Sequence, residues 1–187
     1  DIRMPQMSGL DVLREIRKRS SEIPVILITA YGTVSTAVEA MKCATGLVMF
    51  LAFNKSIAEE LKSRGMNART FHSLTFNPVL KSRPGLIMEA NKMRQLVQEK
   101  WTREDSALYG AFCMRLVGMA KQVGIGCLVD DTEKAWYDII NHHGYELESE
   151  DADMPTAVAK ARELLDYSNS DNRVDFDDML YWAVKFN

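Results

Sequence analysis

Two short groups of side chains in this sequence combine aromatic rings with polar or basic groups. The first group closes an apolar run at residues 47–53, and the second closes a short β-type segment; the members are Phe53, Asn54, Lys55, Thr70, Phe71 and His72. An aromatic ring can stack on a nucleic-acid base, and polar or basic groups can contact the phosphate backbone. Because open α/β sheets bind ligands at the carboxyl ends of their strands, both groups are predicted to lie at one functional edge.

The elements that position these groups follow from the hydrophobic pattern. The apolar run at 47–53 gives way to helical spacing at Ile57, Leu61 and Met66, which predicts a buried strand, a loop and a helix. Upstream, a helix that starts near Leu10 leads to a β-branched strand at 24–30, and a second helix follows at 34–43. The sequence therefore predicts an α/β fold with a small parallel three-layer sheet of P-loop or flavodoxin-like type, with strands near 24–30, 47–53 and 68–71.

The later part of the sequence is helical by pattern. Four apolar stripes between residues 78 and 170 predict an inserted helical subdomain. Asp175 is predicted to cap a last helix that is anchored by Phe176, Leu180 and Val184. The predicted domains are a parallel α/β domain at 1–77, a helical insertion at 78–170, and a C-terminal helix at 171–187 that returns to the α/β domain.

Composition indicates an ordinary globular protein of 187 residues, 47% hydrophobic and 26% charged. The longest apolar run is far shorter than the ~20 residues that a spanning helix needs, and no secretory signal is evident, so we expect a cytoplasmic protein with no membrane partner. The three cysteines are widely spaced, which favours reduced thiols. Residues 46–129 carry 12 basic and 6 acidic side chains, whereas residues 130–178 carry 4 and 15, so a polyanion is expected to meet the middle of the chain.

Residues 1–45 resemble the second half of a receiver domain of two-component response regulators, most closely the NtrC type. The matching stretches are residues 1–10, 24–32 and 36–42. The resemblance implies that Asp1 is the phosphorylated aspartate and Thr29 the switch hydroxyl, with Mg²⁺ as the family's cofactor. The family's acidic magnesium-binding pair and its Lys-Pro after the next strand are not found in this sequence, and phosphoryl transfer needs such cations. Lys55 is one alternative for the missing lysine.

From residue 46 onward the sequence resembles domains 1A and 1B of superfamily 1 DNA helicases of the UvrD/Rep type. Residues 48–61 look like their motif Ia, residues 68–74 like the threonine-phenylalanine-histidine motif, and residues 174–180 like the segment shortly before the Walker B strand. The resemblance implies contact with single-stranded DNA, with Phe53 as a stacking residue and Asn54, Lys55, Thr70 and His72 as backbone contacts. Phenylalanines at strand ends are otherwise more often part of a core, which is the alternative for Phe53 and Phe71.

The helicase family uses ATP and Mg²⁺, but this sequence is expected to hold no cofactor. The loop at 31–36 has one glycine and no lysine, so it lacks the pattern that cradles a β/γ-phosphate. The chain also ends at Asn187, before any Walker B carboxylate. We therefore expect no ATP hydrolysis by this chain alone and leave its enzyme status open.

No catalytic constellation or metal site is predicted. His142 and His143 are adjacent and lack a third ligand at useful spacing, and the acidic residues at 146–153 lack the pattern of a calcium loop. Three functions remain open: a helicase-core fragment that at most binds single-stranded DNA, a phosphoacceptor signalling module, and a non-catalytic hybrid that only folds. The oligomeric state is not predicted.

Overall fold

The computed structural model describes residues 4–25, 27, 34–44 and 48–186. Its elements follow one another along the chain as α1 (Gly9–Arg19), α2 (Val34–Cys43), β1 (Phe50–Ala52), α3 (Lys55–Ser63), β2 (Ala68–Thr70), α4 (Phe71–Ser82), β3 (Ile87–Met88), α5 (Lys92–Lys100), α6 (Arg103–Val123), α7 (Glu133–His143), α8 (Met154–Ser170), β4 (Arg173–Val174) and α9 (Phe176–Lys185). The fold is thus mixed α/β and mostly helical, with small parallel sheets.

The described residues divide into two compact units, residues 1–71 and residues 72–187. The first unit contains two short apolar clusters. One joins α1 and α2 through Leu10, Leu13 and Ala40, and the other joins α3 to β2 through Leu61, Met66 and Ala68. The predicted helices near Leu10 and at 34–43 are confirmed as α1 and α2.

Strands β1 and β2 are parallel neighbours, with Phe50, Leu51 and Ala52 opposite Ala68, Arg69 and Thr70. Helix α3 connects them, which gives the strand, helix and strand order of a parallel α/β unit. The strands are shorter than predicted, since β1 covers 50–52 of the predicted 47–53, and Phe71 begins α4 instead of ending β2. The strand predicted at 24–30 falls largely outside the described residues and stays a prediction.

The second unit has a large core in which α6 packs against α5, α8 and α9. Trp136 and Trp182 are fully buried there. A short parallel pair joins β3, which lies in the stretch at 78–170 that was predicted to be helical, to β4, which lies just beyond it. The pair forms because the amides of Ile87 and Glu89 donate hydrogen bonds to the carbonyls of Asn172 and Val174. These residues are far apart in the sequence, so no local pattern predicts their pairing.

The boundary between the two compact units follows residue 71, and the domain boundaries after residues 77 and 170 stay predictions. Helix α9 shares the core of the second unit because Met179, Tyr181 and Trp182 are buried in it. The inserted character of the helical part, and the return of α9 to the α/β domain, stay predictions. Among the described residues, no helix combines the length and the apolar character needed to cross a membrane.

Helix termini follow the local sequence closely. Asp175 caps α9 as predicted: its carboxylate accepts from the amide of Asp178, and the carboxylate of Asp178 accepts from the amide of Asp175. Pro155 lies in the first turn of α8, two residues after the N-cap residue Asp153. Gly124 and Gly144 end α6 and α7 in the left-handed region, which L-residues avoid.

Candidate functional site

The carboxyl edge of the β1/β2 pair brings together the aromatic residues predicted to act there. Because Ala52 and Thr70 are paired in register, Phe53 and Phe71 follow at the same edge. Their ring centroids lie 5.2 Å apart with the planes tilted by 36°. The edge therefore presents a pair of neighbouring aromatic rings.

The two rings differ in exposure. Phe53 is 78% exposed, whereas Phe71 is half-buried and opens helix α4. Phe53 is thus not a core residue in this structure, and an exposed aromatic ring is the kind of group on which a nucleic-acid base can stack. Whether Phe53 performs that role stays a prediction.

Asn54 is the N-cap of α3. Its side-chain oxygen accepts a hydrogen bond of 2.9 Å from the amide of Ile57. Because capping uses only the oxygen, the amide N–H₂ group of this exposed side chain can still donate to a phosphate or carbonyl oxygen. The local sequence thus builds the edge and fixes Asn54 beside Phe53.

Lys55 is the first residue of α3, and its side chain is 85% exposed. The ammonium lies 3.5 Å from the carboxylate of Glu59, one turn along the helix. Exposed pairs of this kind contribute little free energy, because both groups remain solvated. Lys55 can therefore exchange this partner for an anionic ligand at the edge.

His72 belongs to the second unit, in which its ring meets that of Phe176 edge-on at 5.8 Å. Of the six residues predicted to contact DNA, the first unit thus brings five to its own edge. Asp1 and Thr29, the predicted phosphoacceptor pair, lie outside the described residues and stay predictions.

The exposed face of this sheet is a feature that the sequence pattern did not predict. Exposure alternates along the chain, with Met49 at 41%, Leu51 at 40% and Phe53 at 78%, while Phe50 packs against the cluster that contains Leu61 of α3 and Ala52 is buried. Arg69, opposite Leu51 on β2, is exposed as well. We call Met49, Leu51, Phe53 and Arg69 the sheet face. Because the run is apolar throughout, it lacks the alternation of apolar and polar residues that would have identified the exposed face.

A buried charge network lies in the second unit. The ammonium of Lys92 contacts the carboxylate of Asp178 and the carbonyl of Ser168, each at 2.7 Å, and it lies 4.2 Å from the centre of the Trp182 ring. Lys121 pairs with Asp178 at 2.7 Å and with Asp175 at 3.0 Å. The two carboxylates that cap α9 therefore also neutralise two buried lysines.

Burial governs the pKa values of this network. Burial lowers the pKa of Lys92 to about 8, although the carboxylate of Asp178 opposes this shift. Burial acts to raise the pKa of Asp175, but the ammonium of Lys121, the hydrogen bond from the amide of Asp178 and the charge of Lys92 together hold that pKa below its ordinary value. Burial, and then the charge of Asp175, raises the pKa of Asp177. These contacts tie α9 to α5 and α6 and make the network a structural element of the second unit.

Metal ligands do not converge in the described part of the chain. No group of three or more His, Cys, Asp or Glu side chains there could hold a metal ion. His142, His143 and Tyr145 form a chain of ring contacts instead, with centroid distances of 4.7 and 5.4 Å. Cys43, Cys113 and Cys127 are free thiols.

Residues 1–68 match the family described as "Response regulator receiver domain". This receiver similarity was predicted for residues 1–45 and is confirmed there. The match extends past residue 45 into the stretch for which helicase similarity was predicted. The receiver domain is flavodoxin-like, which agrees with the parallel β1/β2 unit.

Relatives with related sequences point the same way. The chain is 56% identical to regulatory protein AtoC of Escherichia coli over 43 residues, which are 23% of this chain and 9% of AtoC. It is 45% identical to regulatory protein LuxO of Vibrio cholerae over 42 residues, which are 22% of this chain and 9% of LuxO. It is 45% identical to response regulator protein TodT of Pseudomonas putida over 60 residues, which are 32% of this chain and 25% of TodT.

The chain thus spans at most a quarter of these relatives' length. No solved structure matches it. Nothing in these comparisons supports a UvrD/Rep helicase segment.

Proposed function

We propose that this chain carries the phosphoacceptor part of a response regulator receiver, with Asp1 as the acceptor and Thr29 as the hydroxyl that responds to phosphorylation. The observation that carries this proposal is the receiver match over residues 1–68. The identity to AtoC over 43 residues and to TodT over 60 residues supports it. The described geometry adds support, because α1 and α2 share one apolar cluster and β1, α3 and β2 form a parallel unit.

Transfer of a phosphoryl group to a carboxylate requires cations that neutralise the developing charge. The receiver family uses Mg²⁺ for this purpose, but the described residues offer no cluster that could hold the ion. We therefore assign no metal-dependent step to a described side chain. In this proposal, Asp1 supplies the accepting oxygen.

Labelling of the full chain with acetyl phosphate and MgCl₂ tests this proposal. We expect an acyl phosphate that hydroxylamine cleaves, present in the wild type and absent from Asp1→Asn. Asp11→Asn is the matched control, because Asp11 is an aspartate of the same unit that already accepts from Ser8 and pairs with Arg14. Absence of label from the wild type, or label that persists in Asp1→Asn, would refute the proposal.

A second candidate function is binding of single-stranded DNA at the β1/β2 edge, as part of a helicase-like core. The observation that favours it is the Phe53 ring, 78% exposed and 5.2 Å from Phe71. Asn54 and Lys55 add a hydrogen-bond donor and a cation beside this ring. Such an edge suits binding that is independent of sequence, because every base offers a π-face and every nucleotide a phosphate.

Fluorescence anisotropy with a labelled oligothymidylate tests this second function. Base stacking contributes roughly 1–3 kcal/mol, so Phe53→Ala should weaken binding by about 5- to 150-fold, while Phe53→Tyr retains it. Lys55→Ala should reduce the slope of affinity against salt concentration by about one. Lys134→Ala is the matched control, because Lys134 is equally exposed and also pairs with an acidic residue one turn away.

Binding that does not depend on salt, or no detectable binding, would refute DNA binding. An equal effect of Lys55→Ala and Lys134→Ala would show that the lysine contact is not specific to the edge. The labelling experiment does not depend on either result, so the two functions are tested separately.

A further inference from the structure

The outer face of helix α9 is apolar and exposed. Phe176, Leu180 and Val184 were predicted to anchor this helix, but they are 56%, 38% and 49% exposed. The helix is anchored instead by the opposite face, where Asp178 and Trp182 are fully buried. We call Phe176, Leu180 and Val184 the helix stripe, since residues four apart lie on one side of a helix.

The sheet face of the first unit is the second exposed apolar surface. The strands of a parallel sheet are ordinarily covered on both faces. Here α3 covers one face of β1, while Met49, Leu51 and Phe53 on the other face are exposed. Contiguous apolar residues at a surface mark interaction sites.

An exposed apolar helix stripe and an exposed apolar sheet face are the two kinds of surface that pack together in layered folds. A helix with an apolar stripe laid over a sheet face is the ordinary layer of α/β proteins. Residues 1–71 carry 10 basic and 7 acidic side chains, whereas residues 72–187 carry 13 and 19. The units therefore have net charges of opposite sign, and Arg69 places a cation on the sheet face itself. Opposite charges favour the approach of such surfaces and fix their orientation.

We propose that the sheet face binds the helix stripe of a second copy of this chain. The contact is heterologous, because a different surface is used on each copy. A sheet face against another sheet face would bring two Arg69 guanidinium groups together in an apolar contact, which is unfavourable. The contact lies beside the β1/β2 edge and includes Phe53, so self-association and nucleic-acid binding compete for that ring.

Sedimentation equilibrium of the full chain over a range of concentrations, without nucleic acid, tests this proposal. We expect the weight-average mass to rise above that of one chain as concentration increases. Leu51→Asp and Leu180→Asp should each lower the association constant by about tenfold or more, since each removes a buried leucine contact and inserts a charge. Leu128→Asp is the matched control, because Leu128 is 71% exposed and lies in neither surface.

Mixing the two variants gives the sharpest readout. Each variant retains the surface that the other has lost, so a mixture of Leu51→Asp and Leu180→Asp should associate where neither does alone. A chain that stays monomeric at every concentration, or a mixture that behaves like the separate variants, overturns the proposal. An equal loss in Leu128→Asp also overturns it. Circular dichroism and tryptophan fluorescence establish that each variant is folded.

Discussion

Asp178→Asn tests the buried charge network of the second unit. Asp178 is fully buried, and its carboxylate meets the ammonium groups of Lys92 and Lys121, each at 2.7 Å. The variant keeps the shape of the side chain but leaves two buried lysines with Asp175 as their remaining carboxylate. Removing one partner of a buried ion pair costs about 3–5 kcal/mol, because the other charge is left uncompensated.

The control is Asp138→Asn, the same substitution in an exposed pair. Asp138 pairs with Lys134 one turn away in α7, and both side chains are more than half exposed. Such pairs contribute about 0.3–0.5 kcal/mol. The two variants therefore differ in the burial of the pair and should differ by several kcal/mol in the free energy of unfolding.

The assay is urea unfolding followed by tryptophan fluorescence. All three tryptophans, Trp101, Trp136 and Trp182, lie in the second unit, so the signal reports this unit. The transition midpoint of Asp178→Asn should fall markedly at an unchanged slope. If Asp178→Asn destabilises the unit no more than Asp138→Asn, the network does not hold α9 in place.

The remaining predictions concern pH and capping. Because the pKa of Lys92 is lowered to about 8 from an ordinary 10.5, the folded state binds fewer protons than the unfolded state between these values. The free energy of unfolding of the second unit should therefore rise with pH across this window. Urea unfolding at each pH measures this rise, and a Lys92→Met variant should lose it. Asn54→Ala should destabilise the start of α3 by about 1 kcal/mol, whereas Asn54→Asp retains the cap. Hydrogen exchange at the Ile57 amide measures this effect and should be about fivefold faster in Asn54→Ala only. Equal exchange in both variants would contradict the capping role.

Local signals in the sequence predicted the helices and caps well. The pattern at 34–43 indicated α2 with its observed bounds, and Asp175 stands where a cap precedes an apolar run. Such features depend on residues within one or two turns of each other. The parallel unit around residues 50–70 was also predictable, because a strand, a helix and a second strand follow in order.

Contacts between distant residues were not predictable in this way. The apolar pattern of α9 favoured Phe176, Leu180 and Val184 as the buried face, because charged residues such as Asp178 are rarely buried unless they are paired. In the structure the opposite face of α9 is buried, because Lys92 and Lys121 neutralise Asp178 inside the core. The pairing of β3 with β4 likewise joins residues 87–88 to residues 173–174.

The position of the candidate site was predictable from the sequence, whereas the exposure of the neighbouring side chains was less so. Register places Phe53 and Phe71 side by side, as the strand ends indicated. The exposure of Met49 and Leu51 depends on which face α3 covers, and a continuous apolar run contains no sign of that choice.

The measurement that tests the proposed function most directly is the mapping of the acyl phosphate by peptide mass spectrometry. The full chain is treated with acetyl phosphate and MgCl₂, and borohydride reduction marks the modified aspartate. Receiver function predicts that the mark falls on Asp1, in the segment that matches the receiver family. An unmarked Asp1, or a mark on another carboxylate, would contradict it.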